Sequence, residues 1–281
     1  MFSARGLSLT FFAASLAAAS VAQSAETPAA APVPVLHSAI VDWAHLAPQA
    51  TAVGQRRDVF NAPTATLARL DCHVTTLNPG AASHPPHRHP QEEVIFIMEG
   101  TVSVSINGEN HAAGPGSVVF FASNDRHNLT NTGAGPATYV VLQFTTPAIA
   151  ASPTTLWPAP TAPKVVRSGV WTWPSLAVSS TSTGERREIF EGTTATFAHL
   201  ECHATTLRPG ESPHPAHRHA DEEIVLTRDG ELQVEIDGTA RRATAGAVAL
   251  FVANDLHGWR NAGKDPATYF VIRFTPAAVH S

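Results

Sequence analysis

Apolar, β-branched and aromatic runs recur along this chain, each short and each bounded by Gly, Pro, Asn or Asp. The stretch EEVIFIMEGTVSVSING, beginning at Glu92, divides at Glu99–Gly100 and closes on the turn signal Asn107–Gly108. SVVFFA from Ser117 and TYVVLQF from Thr138 are further runs of the same kind. Turn residues return about every 8–12 positions, the spacing of an all-β sandwich or barrel. No stretch carries a helical period of any length. The pattern therefore predicts antiparallel β domains.

The pattern occurs twice. Shifted by 130 positions, RRDVFNAPTATLARLDCHVTTLNPG at Arg56 falls on RREIFEGTTATFAHLECHATTLRPG at Arg186, and SNDRHNLTN at Ser123 falls on ANDLHGWRN at Ala253. The match runs without a gap, a period that marks a duplicated domain and not a solenoid. Trp43 matches Trp173, so each repeat includes an N-terminal arm. The expected organisation is a barrel over 37–146 and a second over 167–276, joined by a Pro/Ala-rich linker over 147–166 and followed by a tail, 277–281.

Ahead of the repeats, MFSARGLSLTFFAASLAAASVAQSAE has one Arg, an apolar alanine-rich run and the small-x-small site Ser20-Val21-Ala22. These are signal-peptide features. The reading is an export signal over 1–22, then a flexible leader over 23–36, and a mature protein that is periplasmic or secreted and free of the membrane. A formal charge of −5 over 281 residues excludes an electrostatic case for nucleic acid. Two cysteines, Cys72 and Cys202, occupy equivalent positions in the two repeats. A disulfide would need their Cα atoms within about 7 Å, so buried free thiols are expected.

The chain holds 15 histidines, and many lie in two strings, HPPHRHPQEEV from His84 and HPAHRHADEEI from His214. His87 and His89 are two apart, which on a strand places both on one face, with Glu93 beginning the next strand. His127 follows later. His217, His219, Glu223 and His257 repeat the set. Three imidazoles and a carboxylate suit a six-coordinate divalent ion with two open positions. With no cysteine ligand, Mn or Fe is favoured, one ion per barrel, with Zn, Ni or Cu as alternatives. By strand parity Glu92 and Glu222 face away from the site and read as solvated surface acids. His73 and His203, beside the cysteines, read as structural.

Gly80, His87-x-His89, Glu93 and Gly100, then Gly116, His127 and Asn131, resemble the two motifs of the cupin superfamily, and Gly210 through Asn261 repeat the resemblance. It spans nearly the whole mature chain and implies two tandem double-stranded β-helix (jelly-roll) barrels, a bicupin. Where the second motif would have Pro and Gly, this chain has Ala122 and Asn124, and Val252 and Asn254, which alters a turn and no ligand. Bicupins similar to this chain include oxalate decarboxylases, quercetinase-type dioxygenases and ureidoglycine aminohydrolases.

The resemblance implies an enzyme acting on a small oxygen-rich molecule. The alternative is a non-catalytic protein that holds a metal or a small ligand, and an assembly of like subunits is compatible with either. His84 and His214 are the candidate acid/base groups, three residues before the first ligand in each half. A position resembling theirs in oxalate-decarboxylating bicupins carries an arginine that holds the substrate. An imidazole there is either a proton-transfer group or a loop histidine between prolines. The halves also differ at Ile97/Thr227, Leu129/Trp259 and Gln143/Arg273, the last offering an anion anchor if it faces inward.

Export should remove about 22 residues, as the small-x-small rule places the cut. N-terminal sequencing of the mature protein checks this: Gln23 is expected at the start, and a membrane-bound form retaining Met1 would contradict it.

Overall fold

The computed structural model describes Met1, residues 34–154, Trp157 and residues 161–278. The expected signal segment and most of the leader therefore lie outside the described residues, as do the last residues of the tail. The chain forms two jelly-roll barrels, each a seven-stranded antiparallel sheet facing a three-stranded one. In the first barrel the large sheet runs, in spatial order, Gly169–Trp171, Val118–Phe121, Glu92–Glu99, Ala137–Thr145, Arg69–Leu77, Gly54–Ala62 and Gln49–Thr51. The small sheet is Glu109–Ala113, Val102–Ile106 and His127–Asn131. The second barrel repeats this order, with Glu222–Asp229 and His257–Asn261 as the counterparts of the site-bearing strands.

Burial follows from which faces are covered. Val102, Val104 and Ile106 turn into the barrel while Ser103 and Ser105 between them are less buried, the alternation of a strand wet on one side. Val118–Phe121 is buried at every position because both of its faces are covered. One face lines the barrel interior, where Ile95, Ile97, Phe121 and Tyr139 form a self-contained core. The other packs against the second barrel in one continuous core that joins the two large sheets. There Phe96 meets Phe270 at 4.8 Å and Phe144 meets Phe274 at 5.2 Å between ring centroids. Cys72 and Cys202 belong to this shared core, fully buried and unpaired, and burial pushes both thiols up.

The two repeats exchange their arms. Ala39–Asp42, at the start of the first repeat, pairs with Ala247–Phe251 of the second barrel. Gly169–Trp171, at the start of the second, pairs with Val118–Phe121 of the first. The ranges 37–146 and 167–276 thus each lend their first strand to the other sheet, covering an edge that would otherwise be open to unwanted pairing. A tryptophan follows each arm and seats on a glycine. A Cβ at Gly246 would lie 2.7 Å from the Trp43 indole nitrogen, and one at Gly116 would lie 3.0 Å from the Trp173 ring. Both glycines also have positive φ, +94° and +83°, where a side chain is strained. Part of the linker is regular: Pro147–Ala151 forms a helical turn capped by Thr146, with Ile149 buried.

Glu92 and Glu222 correct the sequence reading. Both are completely buried, at 0% exposure. Parity was right that they point away from their barrel's interior, but that direction leads each to the other repeat and not into water. Glu92 accepts hydrogen bonds from Thr194 (2.6 Å) and Thr196 (2.8 Å), and Glu222 accepts them from Thr64 (2.5 Å) and Thr66 (2.8 Å). Burial raises both carboxyls above the usual range against these hydroxyl donors. The Oε1 atom of each has no hydrogen-bond partner, so the threonines carry the compensation.

Replacing Thr194 by Val removes one donor from a buried acid and should cost about 1–3 kcal/mol. Denaturant unfolding of the variant checks this. A cost within error of zero would show that Glu92 does not depend on the threonine.

Candidate metal centres

The first site is assembled where a loop is tied to a strand. His87 is not on a regular strand as its spacing suggested. It forms an isolated antiparallel bridge with His127, through His87 N–H to the His127 carbonyl (3.2 Å) and the reverse bond (2.9 Å). His89 lies two residues further along the loop. Glu93 enters from Glu92–Glu99 with its side chain on the interior face. Asn124, at the turn before His127, has φ +65°, so Asn there supplies the left-handed conformation that Asn tolerates better than most residues. Asn254 does the same with φ +67°.

The orientation of the rings decides what the cluster can hold. His89 Nδ1 lies 3.0 Å from the Gln91 carbonyl and His127 Nδ1 lies 2.8 Å from the Asp125 carbonyl. A carbonyl only accepts, so each Nδ1 carries the proton and each Nε2 presents a lone pair. Those Nε2 atoms face Glu93 at 3.3 and 3.5 Å. Lone pairs aimed at a carboxylate require a cation between them. His87 Nδ1, His89 Nε2 and His127 Nε2 are buried with no hydrogen-bond partner. One donor atom from each ring lies within 4.8 Å of the others. Three imidazoles and a carboxylate so arranged fit a divalent ion.

Two groups of the cluster, His87 and Glu93, take the charge state that a cation needs; at His89 burial pulls the imidazole down, but the Glu93 carboxylate outweighs it and raises it above its ordinary value. Burial, then the imidazoles of His84 and His127, brings His87 down to about 4, so it stays neutral. Burial pushes the Glu93 carboxyl up, but His127 and His89 beside it outweigh burial and hold it below the usual range. Gln143, directly across from Glu93 in the sheet register, donates to its Oε1 at 2.7 Å. Phe121 stacks on the His127 ring at 4.1 Å.

The second site has the same plan. His217 bridges His257, and the Nδ1 atoms of His219 and His257 face the carbonyls of Asp221 and Asp255 at 2.9 Å each. Their Nε2 atoms meet Glu223 at 2.9 and 3.3 Å. Arg273 replaces Gln143, and it does not stand free as an anion anchor: it donates to Asp221 at 2.5 Å. Its charge is therefore already compensated.

A cavity of about 310 Å³ opens beside the first site. His87 and Glu93 form one wall, with His84 adjoining them, its ring centroid 3.9 Å from that of His87. His73 lines the same cavity, on the face that strand parity alone does not identify as interior. Its Nδ1 lies 2.8 Å from Asp71, and Asp71 is held in turn by Arg56 at 3.1 Å. Burial raises Asp71, but His73 and then the guanidinium groups of Arg56 and Arg69 more than offset this and lower it. Glu201, His203 and Arg186 repeat the arrangement, His203 Nδ1 to Glu201 at 2.9 Å and Arg186 to Glu201 at 3.0 Å. Asp71 and Arg56 were not singled out from sequence. The signal present was the pair DCH and ECH, an acid and a histidine two apart in both repeats, hence on one strand face. His214 is exposed, its ring 4.3 Å from that of His217.

The family model described as Cupin domain matches residues 73–143 and 203–273. No curated protein sequence matches the chain. Solved structures do. AerE from Microcystis aeruginosa superposes with a TM-score of 0.60 at 13% identity, covering 86% of this chain and 98% of that one. Protein YlbA from E. coli gives 0.68 at 11% identity, over 90% and 97%. A formate complex of Lactobacillus farciminis oxalate decarboxylase gives 0.62 at 15% identity, over 88% of each chain. At these identities the likeness is one of fold.

In the metal-free protein the cation facing Glu223 is a proton. Burial raises this carboxyl, but His219 and His257 outweigh it and bring it from 4.5 down to about 2. A depressed folded-state value adds stability above 4.5 that is lost as pH falls toward about 2. Thermal unfolding of metal-free protein across that window should show the loss, and Glu223→Gln should lessen it. An unchanged pH dependence in the variant would contradict the pairing.

Proposed function

The chain belongs to the cupin domain family, and on that footing we propose that it is an exported, metal-dependent enzyme acting on a small oxygen-rich organic molecule, with Mn or Fe held by His87, His89, Glu93 and His127 and by His217, His219, Glu223 and His257. The observation that carries the reading is the first cavity. Its lining includes His87 and Glu93 of the donor cluster, together with His84 and His73, which can accept or give a proton.

A divalent ion bound there would supply Lewis acidity toward a carboxylate or carbonyl oxygen. Four protein donors leave two positions of a six-coordinate ion for substrate or water, whereas a purely structural site normally closes on protein groups alone. The remaining chemistry belongs to the chain. Gln143 keeps the Glu93 carboxylate turned toward the imidazoles. His84 lies next to His87, and burial lowers its pKa against the opposing pull of the Pro85 carbonyl and Glu93. An imidazole held neutral near the reacting atoms can accept a proton. His73 offers a second such group: with Nδ1–H donated to Asp71, its Nε2 is the basic atom, and the carboxylate stabilises the imidazolium that forms. Ile95, Leu129, Tyr139 and Val141 supply the apolar part of the lining.

Neighbours of similar fold include an oxalate decarboxylase solved with formate, which supports a small carboxylic acid as the first class to test. Export rests on the sequence features of residues 1–22 and places the enzyme in the periplasm or outside the cell.

Elemental analysis after expression with Mn or Fe should find metal in both barrels, with Glu93→Gln and Glu223→Gln each losing the matching half. In an activity screen over small acids and flavonoids, His84→Ala should keep its metal and lose roughly 10²-fold or more in turnover, the usual range for removal of an acid/base group. Metal-free wild type would end the metal assignment. Loaded protein without turnover across the screen would favour the metal- or ligand-holding alternative.

A further inference from the structure

We infer that the two barrels have different duties: the first admits a small molecule to its donor cluster, and Trp259 closes the corresponding space in the second. The word substrate for that molecule rests on the function proposed above; the difference in access does not.

Trp259 occupies the position of Leu129, on the strand that also carries the last histidine of each cluster. In the first barrel Leu129 is one wall of the cavity and leaves room between His73, His84 and Tyr139. In the second, the indole fills that space. It stacks parallel to Phe251 at 5.7 Å, meets Tyr269 edge-on at 5.5 Å and meets His214 edge-on at 5.5 Å. His257 also lies parallel to it at 6.3 Å, so aromatic rings pack around the indole.

The cavity walls agree. His73 has 14% of its side chain exposed and His203 10%. Val141 and Val271 are 5% and 1% exposed, Glu93 and Glu223 8% and 4%. Thr75 is partly exposed and Thr205 is buried. In each of these four pairs the residue of the second barrel is the less accessible, while Trp259 and His214 lie nearer the outer surface than Leu129 and His84. A hollow of about 570 Å³ does border Trp259, but its lining includes His214, Gln233 and Arg260 and none of His217, His219, Glu223 or His257. The indole thus separates that hollow from the donor cluster. Arg273, at the position equivalent to Gln143, is the bulkier side chain and is tied to Asp221. His214, exposed at the outer side of Trp259, faces this hollow, whereas His84 faces a cavity shared with its cluster.

The test reads access without metal or turnover, so it stands even where the proposed function fails. Thr75 and Thr205 are equivalent positions on the two cavity walls, and Thr→Cys is nearly isosteric. The native thiols Cys72 and Cys202 are 0% exposed and serve as a silent background. In folded, metal-free protein, Thr75→Cys should react with methyl methanethiosulfonate roughly tenfold or more faster than Thr205→Cys, whose reaction waits on local opening. Adding Trp259→Leu should bring Thr205→Cys up to the faster rate, and adding Leu129→Trp should slow Thr75→Cys. The Leu129→Trp arm keeps the test decisive where Trp259→Leu fails to fold. Equal rates at the two cysteines would overturn the inference. So would a Thr205→Cys rate unmoved by Trp259→Leu in folded protein, or a Thr75→Cys rate unmoved by Leu129→Trp.

Discussion

A carboxylate is tolerated in a protein interior only when something compensates it, and each barrel here buries two at adjacent positions of one strand. Adjacent residues on a strand point to opposite faces. On Glu92–Glu99 both faces are covered, so Glu92 is sealed from water and Glu93 is buried except where it lines the cavity. Glu93 turns inward and requires a cation among His87, His89 and His127. Glu92 turns outward and requires the hydroxyls of Thr194 and Thr196 from the other repeat. The donor cluster and the joint between the barrels are therefore set by the same two residues, and a shift of register by one would exchange a carboxylate of the cluster for an interface group.

This requirement is reciprocal. Glu222 takes its donors from Thr64 and Thr66, as Glu92 takes its own from the second repeat. The exchanged arms follow the same logic, each closing the sheet edge of the other barrel. Neither repeat on its own satisfies its buried acid or covers its edge strand. The fold is better described as two halves completed by each other than as two beads on a linker.

Duplication also leaves room for divergence. The donor sets are kept in both barrels with closely similar ring geometry, while the space beside them differs. The change from Leu129 to Trp259 leaves both donor sets in place and alters what can approach them. Retaining two clusters while filling one cavity is consistent with a second site that holds the fold's charge balance and a first that meets a ligand.

Much of this was legible in the chain itself. The duplication, the all-β class, the strand-by-strand runs and the four donor positions in each half are local or periodic properties, and each is readable from spacing. Even the direction of Glu92 followed from parity. What lay at the end of that direction did not, because parity gives a face and not what covers it. Its partners Thr194 and Thr196 are over a hundred positions away, 102 and 104 residues on. The same holds for His73, whose face became a cavity wall only once the barrel closed around it. It holds as well for the arms, which sequence assigns to the repeat they begin and the sheets assign to the other. Sequence determined which side chains could act and how far apart they stood along the chain, though the strand that their spacing suggested for His87 and His89 is a loop. Tertiary packing decided which face was wet, which acid met a proton donor and which of two equivalent spaces remained open, because those depend on contacts between residues that no local pattern connects.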